Sequence, residues 1–421
     1  MTESLMDPQQ IAPGAPRHAP MTQFAAVDGQ LLVGGETLST LAERVGQTPF
    51  FAYDRARITR RVTEVRAALP STVDLHYSLK ANPMPALVGH LAGLVDGFDV
   101  ASAGEMKLAL DAGMVPERID FAGPGKSDAE LRQAAASGVI VSLEGQGEPE
   151  RLHAAGLAVG CRPKVLVRVN PAFDVRAGGL RMGGGAKPFG IDEEDVPAVL
   201  RRIAALDLDL EGFHLYWGSQ SLDAARIAEA QEQAITAFLK LADLAPMPPR
   251  LFNLGGGFGI PYAPGDAALD GAAAARSVAD GAARLTRHLP EARLILELGR
   301  YLVGEAGVYV CRVLDRKVSR GEVFLVTDGG LHHHLAASGN FGQVVRRNYP
   351  VTVATRQAGG PRETATIVGR LCTPLDVLAR KAELAVAEPG DLIAIFQSGA
   401  YAASASPAGF LSHGAAPEIL V

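Results

Sequence analysis

Cysteine is scarce, with three in 421 residues at Cys161, Cys311 and Cys372, widely spaced and in no Cys-x-x-Cys pair. That excludes a disulfide framework and leaves reduced thiols, of which at most one is expected to have chemistry. No apolar run reaches the roughly 18 residues of a membrane span. Residues 1–20 contain no apolar signal core, so the cytoplasm is the expected location. Positive charge is not in excess: the net charge is −6 and the pI about 6.0, which gives no basic surface for nucleic acid or an anionic membrane. Neither partner is expected. What is present is ordinary for a soluble globular chain: 48% hydrophobic and 20% charged residues, enough length for two well-filled domains.

The N-terminus carries Pro8, Pro13, Pro16 and Pro20 with little apolar content and reads as a flexible arm over residues 1–22. Short β-like pieces follow, Phe24 to Val27 and Leu31 to Val33, then a helix from Thr37 to Val45. After Asp54 the apolar positions Ile58, Val62, Val65 and Leu69 recur at helical spacing. Strands and helices then alternate for more than 200 residues, with strands expected near 97–100, 119–122, 139–143, 164–170, 210–214, 251–254 and 293–297. The rhythm fits a (β/α)₈ barrel of the TIM type, with a doubly wound open sheet as the rival. Beyond about Val303 the helical pattern gives way to β-rich segments, a mostly β second domain.

Chemistry centres on Asp74-Leu-His-Tyr-Ser-Leu-Lys80-Ala-Asn-Pro83. Val73, Leu75, Tyr77 and Leu79 alternate with the period of a strand, which puts His76, Ser78 and Lys80 on the other face and Lys80 at the carboxyl end. A partly desolvated lysine there can condense with a carbonyl group. Asn253-Leu-Gly-Gly-Gly-Phe-Gly259 follows a late strand and reads as a turn whose backbone can approach a phosphate closely. His332-His333-His334 is not read as a metal site, because adjacent residues on a strand point alternately.

These segments together resemble the fold-type III pyridoxal-phosphate decarboxylases of the ornithine and diaminopimelate decarboxylase family, over nearly everything from Phe50 to Val421. The resemblance implies an alanine-racemase-like barrel over residues 50–302 and a β domain over 303–421 that the early strands, residues 23–49, join. It implies that Lys80, in Tyr77-x-x-Lys-Ala-Asn82, carries pyridoxal 5′-phosphate, and that Gly255, Gly256 and Gly257 bind its phosphate. Glu297, in Glu297-Leu-Gly-Arg300 against the family's Glu-Pro-Gly-Arg, should face the pyridine nitrogen and keep it protonated. Gly299 and Arg300 complete that segment, with Arg300 on phosphate or substrate. Asp99, Glu105 and Arg168 match family positions near the cofactor, each with ordinary barrel ion pairing as the alternative reading.

The family's stacking histidine is replaced here: counting back from Gly218-Ser219 puts Tyr216 at that place, with His214 two residues earlier on the same face. Either ring is a candidate for the stack, and Ser219 for the phosphate. Cys372, in Gly369-Arg-Leu-Cys-Thr-Pro-Leu-Asp376, resembles the cysteine that a partner subunit supplies to return a proton, which implies a homodimer with shared sites; Tyr401 matches a tyrosine on the phosphate.

The expected activity is decarboxylation of an amino acid or aminoacyl substrate. Alternatives are diaminopimelate decarboxylation proper, an amino-acid racemase of the same fold type, disfavoured by an acid at the ring nitrogen, and a non-catalytic cofactor carrier, disfavoured by the second domain. Thr373 stands where relatives have an acid, and Phe410-Leu411 where they have Tyr-Asn, so groups that would pair with a distal charge on the substrate are missing. The ending Ser404-x-Ser-Pro-x-x-Phe-Leu-Ser-His413 is similar to a subgroup found beside exosortase genes that includes decarboxylases of carrier-protein-linked aminoacyl groups.

Overall fold

The computed structural model describes residues 17–172, 185–341, 343 and 345–421, so the arm expected over residues 1–22 lies outside the described residues as far as residue 16. The described residues fall into two compact units, one within 55–260 and 268–304 and the other within 17–54, 261–267 and 305–421.

The first unit contains eight parallel strands: β1 (Val73–Ser78), β2 (Gly97–Val100), β3 (Ile119–Phe121), β4 (Ile140–Leu143), β5 (Lys164–Asn170), β6 (Asp209–Leu215), β7 (Leu251–Asn253) and β8 (Arg293–Leu298). Each pairs with the next, and β8 returns to β1 with Glu297 in register with His76 and Leu298 with Tyr77. The sheet therefore closes, which excludes the open doubly wound alternative. An extra two-residue strand, Ile191–Asp192, pairs with the end of β5.

Closure explains why the strands are buried on both faces, inward against one another and outward against helices. In β1, five of six residues are buried, His76 and Ser78 among them, so the alternation in its sequence does not mark a wet face. Lys80 is also not on the strand: β1 ends at Ser78 and Leu79–Ala81 form one 3₁₀ turn, which lifts the lysine past the strand end.

The connecting helices begin where the sequence supplies caps. Ser102 accepts from Glu105 N–H at 3.1 Å to start Ala103–Asp111, and Ser127 with Glu130 forms a reciprocal capping box on Asp128–Ser137. The Glu105 carboxylate accepts from Ala101 N–H at 2.7 Å, so it too serves this helix start.

The second unit is built around the long strand Gly307–Ser319, which pairs antiparallel with Leu392–Ile395, Glu322–Thr327 and Phe50–Tyr53. The barrel expected to begin at Phe50 thus starts later: Phe50–Tyr53 belongs to this β unit, where it also pairs with Glu418–Leu420. All four of its residues are buried, a pattern that barrel and sandwich strands share, so only the pairing partner distinguishes them. Phe24, Leu31, Val33, Leu38 and Leu41 from the chain's beginning form one core with Val308, Val310, Leu392 and Phe396 from its end. Their helix, Leu38–Val45, is capped by Thr37 and ends on Gly46 in the left-handed region.

Candidate active site

The carboxyl ends of the barrel strands converge on Lys80. Its Nζ lies 3.3 Å from Asp99 Oδ2 on β2 and 5.6 Å from the centre of the Tyr216 ring. The lysine is 41% exposed and Asp99 is 2%, so a buried acid holds a reachable amine. The second oxygen of Asp99 is buried without a hydrogen-bond partner. Arg168 on β5 lies over the same tyrosine ring, 5.8 Å from its centre, and donates to Glu144 at 2.7 Å. Tyr216 is half-buried between the two cations.

Below this layer the strands bring five polar side chains into the closed interior. Ser142 Oγ donates to Asp120 Oδ1 at 2.8 Å and lies 3.1 Å from His214 Nδ1. Asn253 Nδ2 donates to Asp120 Oδ2 at 3.0 Å and also to Glu297 Oε1. His214 Nε2 is 3.9 Å from Glu297 Oε1 and has no hydrogen-bond partner. Burial, with the charge of Asp99 next, raises Glu297 well above the usual carboxylate range, and pushes Asp120 up to about 7. Burial, with Arg168 and Lys80 next, holds His214 well below the ordinary imidazole value, so it is neutral. Asp120, His214 and Glu297 offer ligand atoms within 4.8 Å of one another. Their bonds to Ser142 and Asn253 already engage most of those atoms.

The glycine turn after β7 is packed against the site from beneath. A Cβ on Gly256 would lie 1.7 Å from the Glu297 carbonyl oxygen, and one on Gly257, at φ +95°, 2.6 Å from the Trp217 ring. Side chains are excluded, and the bare backbone forms the floor of a cradle. Gly255 donates to Asn253 Oδ1 at 2.9 Å and accepts from Glu297 N–H at 2.8 Å, tying the turn to β8. Gly299 closes against the Lys80 turn, where a Cβ would lie 2.9 Å from that of Ala81. Arg300 opens the short helix Arg300–Val303, and Ser219 is half-buried in the loop after β6.

Cys372 and Tyr401 belong to the β unit. Cys372 is exposed on a turn stapled by Asp376, whose two oxygens accept from Leu331 N–H at 2.6 Å and Leu371 N–H at 2.8 Å. Tyr401 is half-buried at φ +53°. The three adjacent histidines have separate surroundings: His333 bonds the Gly414 carbonyl, His334 bonds Ser398, and His332 packs its ring on His333 and His413.

Sequence reading singled out Lys80, Asp99, Arg168, His214, Tyr216, Glu297 and the three glycines, and the barrel brings all of them to one end or just beneath it. It missed Asp120, Ser142 and Glu144, and gave Asn253 no role of its own. A signal existed for Asp120: it is the lone charge inside the apolar strand Ile119–Phe121, on the face opposite its neighbours.

A reachable amine, the Tyr216 ring beside it, a glycine turn of bare backbone and a buried acid on the last strand suit a cofactor that combines an aldehyde, a phosphate and a ring nitrogen. The orphaned Asp99 and His214 atoms and the glycines that admit no Cβ fit that group, and the class of protein so defined is a pyridoxal-phosphate enzyme on a closed barrel.

The comparison with known families is more specific. The pyridoxal binding domain of the pyridoxal-dependent decarboxylases matches residues 55–304. The chain is 38% identical, over 89% of both sequences, to the L-glutamyl-[BtrI acyl-carrier protein] decarboxylase of Niallia circulans. It is 31% identical to the diaminopimelate decarboxylase of Aquifex aeolicus, over 89% of this chain and 86% of that one. The solved diaminopimelate decarboxylase of Helicobacter pylori, complexed with L-lysine, superimposes with a TM-score of 0.80 at 27% identity, over 91% of this chain and 94% of that one. The chain belongs to the pyridoxal-dependent decarboxylases of the ornithine, arginine and diaminopimelate type, and is a pyridoxal-phosphate-dependent carboxy-lyase.

Proposed function

We propose that this decarboxylase acts on an aminoacyl group tethered to a carrier protein rather than on a free diamino acid. The observation that carries the reading is the 38% identity, over 89% of both chains, to a decarboxylase whose substrate is an L-glutamyl group on an acyl-carrier protein. The chemistry of the β unit supports it. Thr373 supplies a hydroxyl that accepts from Leu375 N–H at 3.3 Å, and Phe410 and Leu411 are about half exposed apolar side chains. None of the three is an acid that could pair with a distal ammonium group, and each missing hydrogen bond to a charged end costs about 1.5–3 kcal/mol. A tethered acyl group has no such end.

Pyridoxal phosphate would supply an electron sink for the pair left on Cα when the carboxylate leaves as CO₂. In this assignment Lys80 would hold the cofactor, the Gly255–Gly257 turn with Ser219 and Arg300 would receive its phosphate, Tyr216 would cover a ring face, and Glu297 would face the ring nitrogen. Asp99 fixes the Lys80 amine while that amine is free, and Arg168 is held on the Tyr216 side by Glu144. Cys372 donates the proton to Cα, and as an exposed thiol of the β unit it does so from the partner subunit of a homodimer, which works in the cytoplasm.

Two measurements test this. A screen of free diamino acids, meso-diaminopimelate and aminoacyl-carrier thioesters is expected to give kcat/KM of roughly 10⁴ M⁻¹s⁻¹ or more for a thioester only; equal turnover of free diaminopimelate overturns the substrate assignment. Mixing inactive Lys80→Ala with inactive Cys372→Ala subunits is expected to restore up to about a quarter of sites under random exchange between two-fold partners. No recovery after proven exchange means that each chain builds its own site.

A further inference from the structure

Asp120, Ser142, His214, Asn253 and Glu297 come from five different strands and are each 3% exposed or less. The donors fix one another. Ser142 has a single hydrogen and gives it to Asp120 Oδ1, so toward His214 it accepts, and His214 carries its proton on Nδ1. Gly255 N–H fixes the Asn253 amide by donating to Oδ1, which turns both hydrogens of Nδ2 onto acids, one on Asp120 Oδ2 and one on Glu297 Oε1.

The nearby cations are already matched. Lys126 pairs with Glu148 at 3.2 Å, Arg168 with Glu144 at 2.7 Å, and Lys80 with Asp99 at 3.3 Å. The strand neighbour of Glu297 is His76, which burial also pushes below the usual imidazole value. Two carboxylates joined by one neutral amide, with no cation of their own and a third acid, Asp99, close by, cannot both be ionised without a large desolvation and repulsion cost.

We propose that Asp120 and Glu297 hold one proton between them across Asn253, with His214 kept neutral as the Nδ1–H tautomer, and that Asp120 is a positioning residue that sets the proton affinity of Glu297. Asp120 touches neither substrate nor cofactor in this assignment and acts only through its neighbour. The upward shifts of both acids and the downward shift of His214 run in the direction this arrangement requires. When a ring N–H is presented to Glu297, the acid must be ionised to hold it. The shared proton then rests on Asp120, and once Asp120 in turn ionises at higher pH its negative charge adds to the potential that keeps the ring protonated.

The reading rests on Glu297 facing the ring nitrogen, so one arm of the test is independent of the cofactor. Infrared spectra of the full chain stripped of pyridoxal phosphate, with ¹³C-labelled glutamate, are expected to show a buried protonated carboxyl above pH 7. Asp120→Asn is expected to lower the midpoint of that band by roughly one to two pH units. Should Asp120→Asn fail to fold, Glu297→Gln with ¹³C-labelled aspartate reads the same coupling, as a fall of the Asp120 midpoint. In the loaded enzyme, Asp120→Asn is expected to move the pH midpoint of the cofactor's absorption in the same direction by a similar amount. No protonated carboxyl above pH 7, or midpoints within a few tenths of a unit of wild type, overturns the shared proton. A shift in the stripped protein without one in the loaded enzyme keeps the shared proton and overturns the orientation of Glu297.

Discussion

Lys80→Ala is expected to abolish the visible absorption of bound cofactor and to lower kcat/KM by roughly 10⁴-fold or more, as removal of a covalent catalytic group does. The amine stands on a single 3₁₀ turn beyond β1, held at 3.3 Å by Asp99. Lys126, a buried lysine of the barrel unit, is tied to Glu148 and to the Gly123 carbonyl. Because the Lys80 side chain is 41% exposed and fills no core space, the variant should keep its fold, which circular dichroism checks. Borohydride reduction followed by peptide mapping gives the sharper result: a pyridoxyl group fixed on another lysine of the variant would show that the assignment is wrong.

Gly256→Ala should be nearly as damaging, for a different reason. The added methyl would overlap the carbonyl oxygen of Glu297 at 1.7 Å, and that atom is backbone, so it cannot rotate away. Either the glycine turn lifts or the end of β8 moves, at a cost of roughly 1–3 kcal/mol or more. Both movements displace what Asn253 connects: Gly255 on one side, Glu297 and Asp120 on the other. The variant is therefore expected to melt several degrees lower and to bind pyridoxal phosphate at least about tenfold more weakly, since 1.4 kcal/mol corresponds to a factor of ten. Calorimetry and equilibrium dialysis measure the two effects separately. Unchanged melting together with unchanged cofactor affinity would mean that the turn is neither close-packed nor part of the cradle.

Some of this was determined by the sequence alone. The alternation of strands and helices between Val73 and Leu298 has a barrel's length and rhythm, because side-chain period and cap chemistry are local properties. Lys80, the three glycines and Glu297 are legible because each sits in a short motif beside a strand end, where neighbours in sequence are also neighbours in space. Scarce cysteine and modest negative charge set the class of molecule.

Tertiary structure alone decided three further things. Closure depends on β8 pairing with β1, more than 200 residues apart, and no local pattern encodes that register. Phe50–Tyr53 is fully buried and could have been a barrel strand; its pairing with Gly307–Ser319 and Glu418–Leu420 put it in the β unit. The acid network is the third. Asp120, Ser142, Asn253 and Glu297 are each a polar residue in a mostly apolar strand, and sequence shows only which face each one takes. They become one proton-holding group because the closed barrel points four buried inward faces at the same few ångströms, where the polar atoms find their partners among one another.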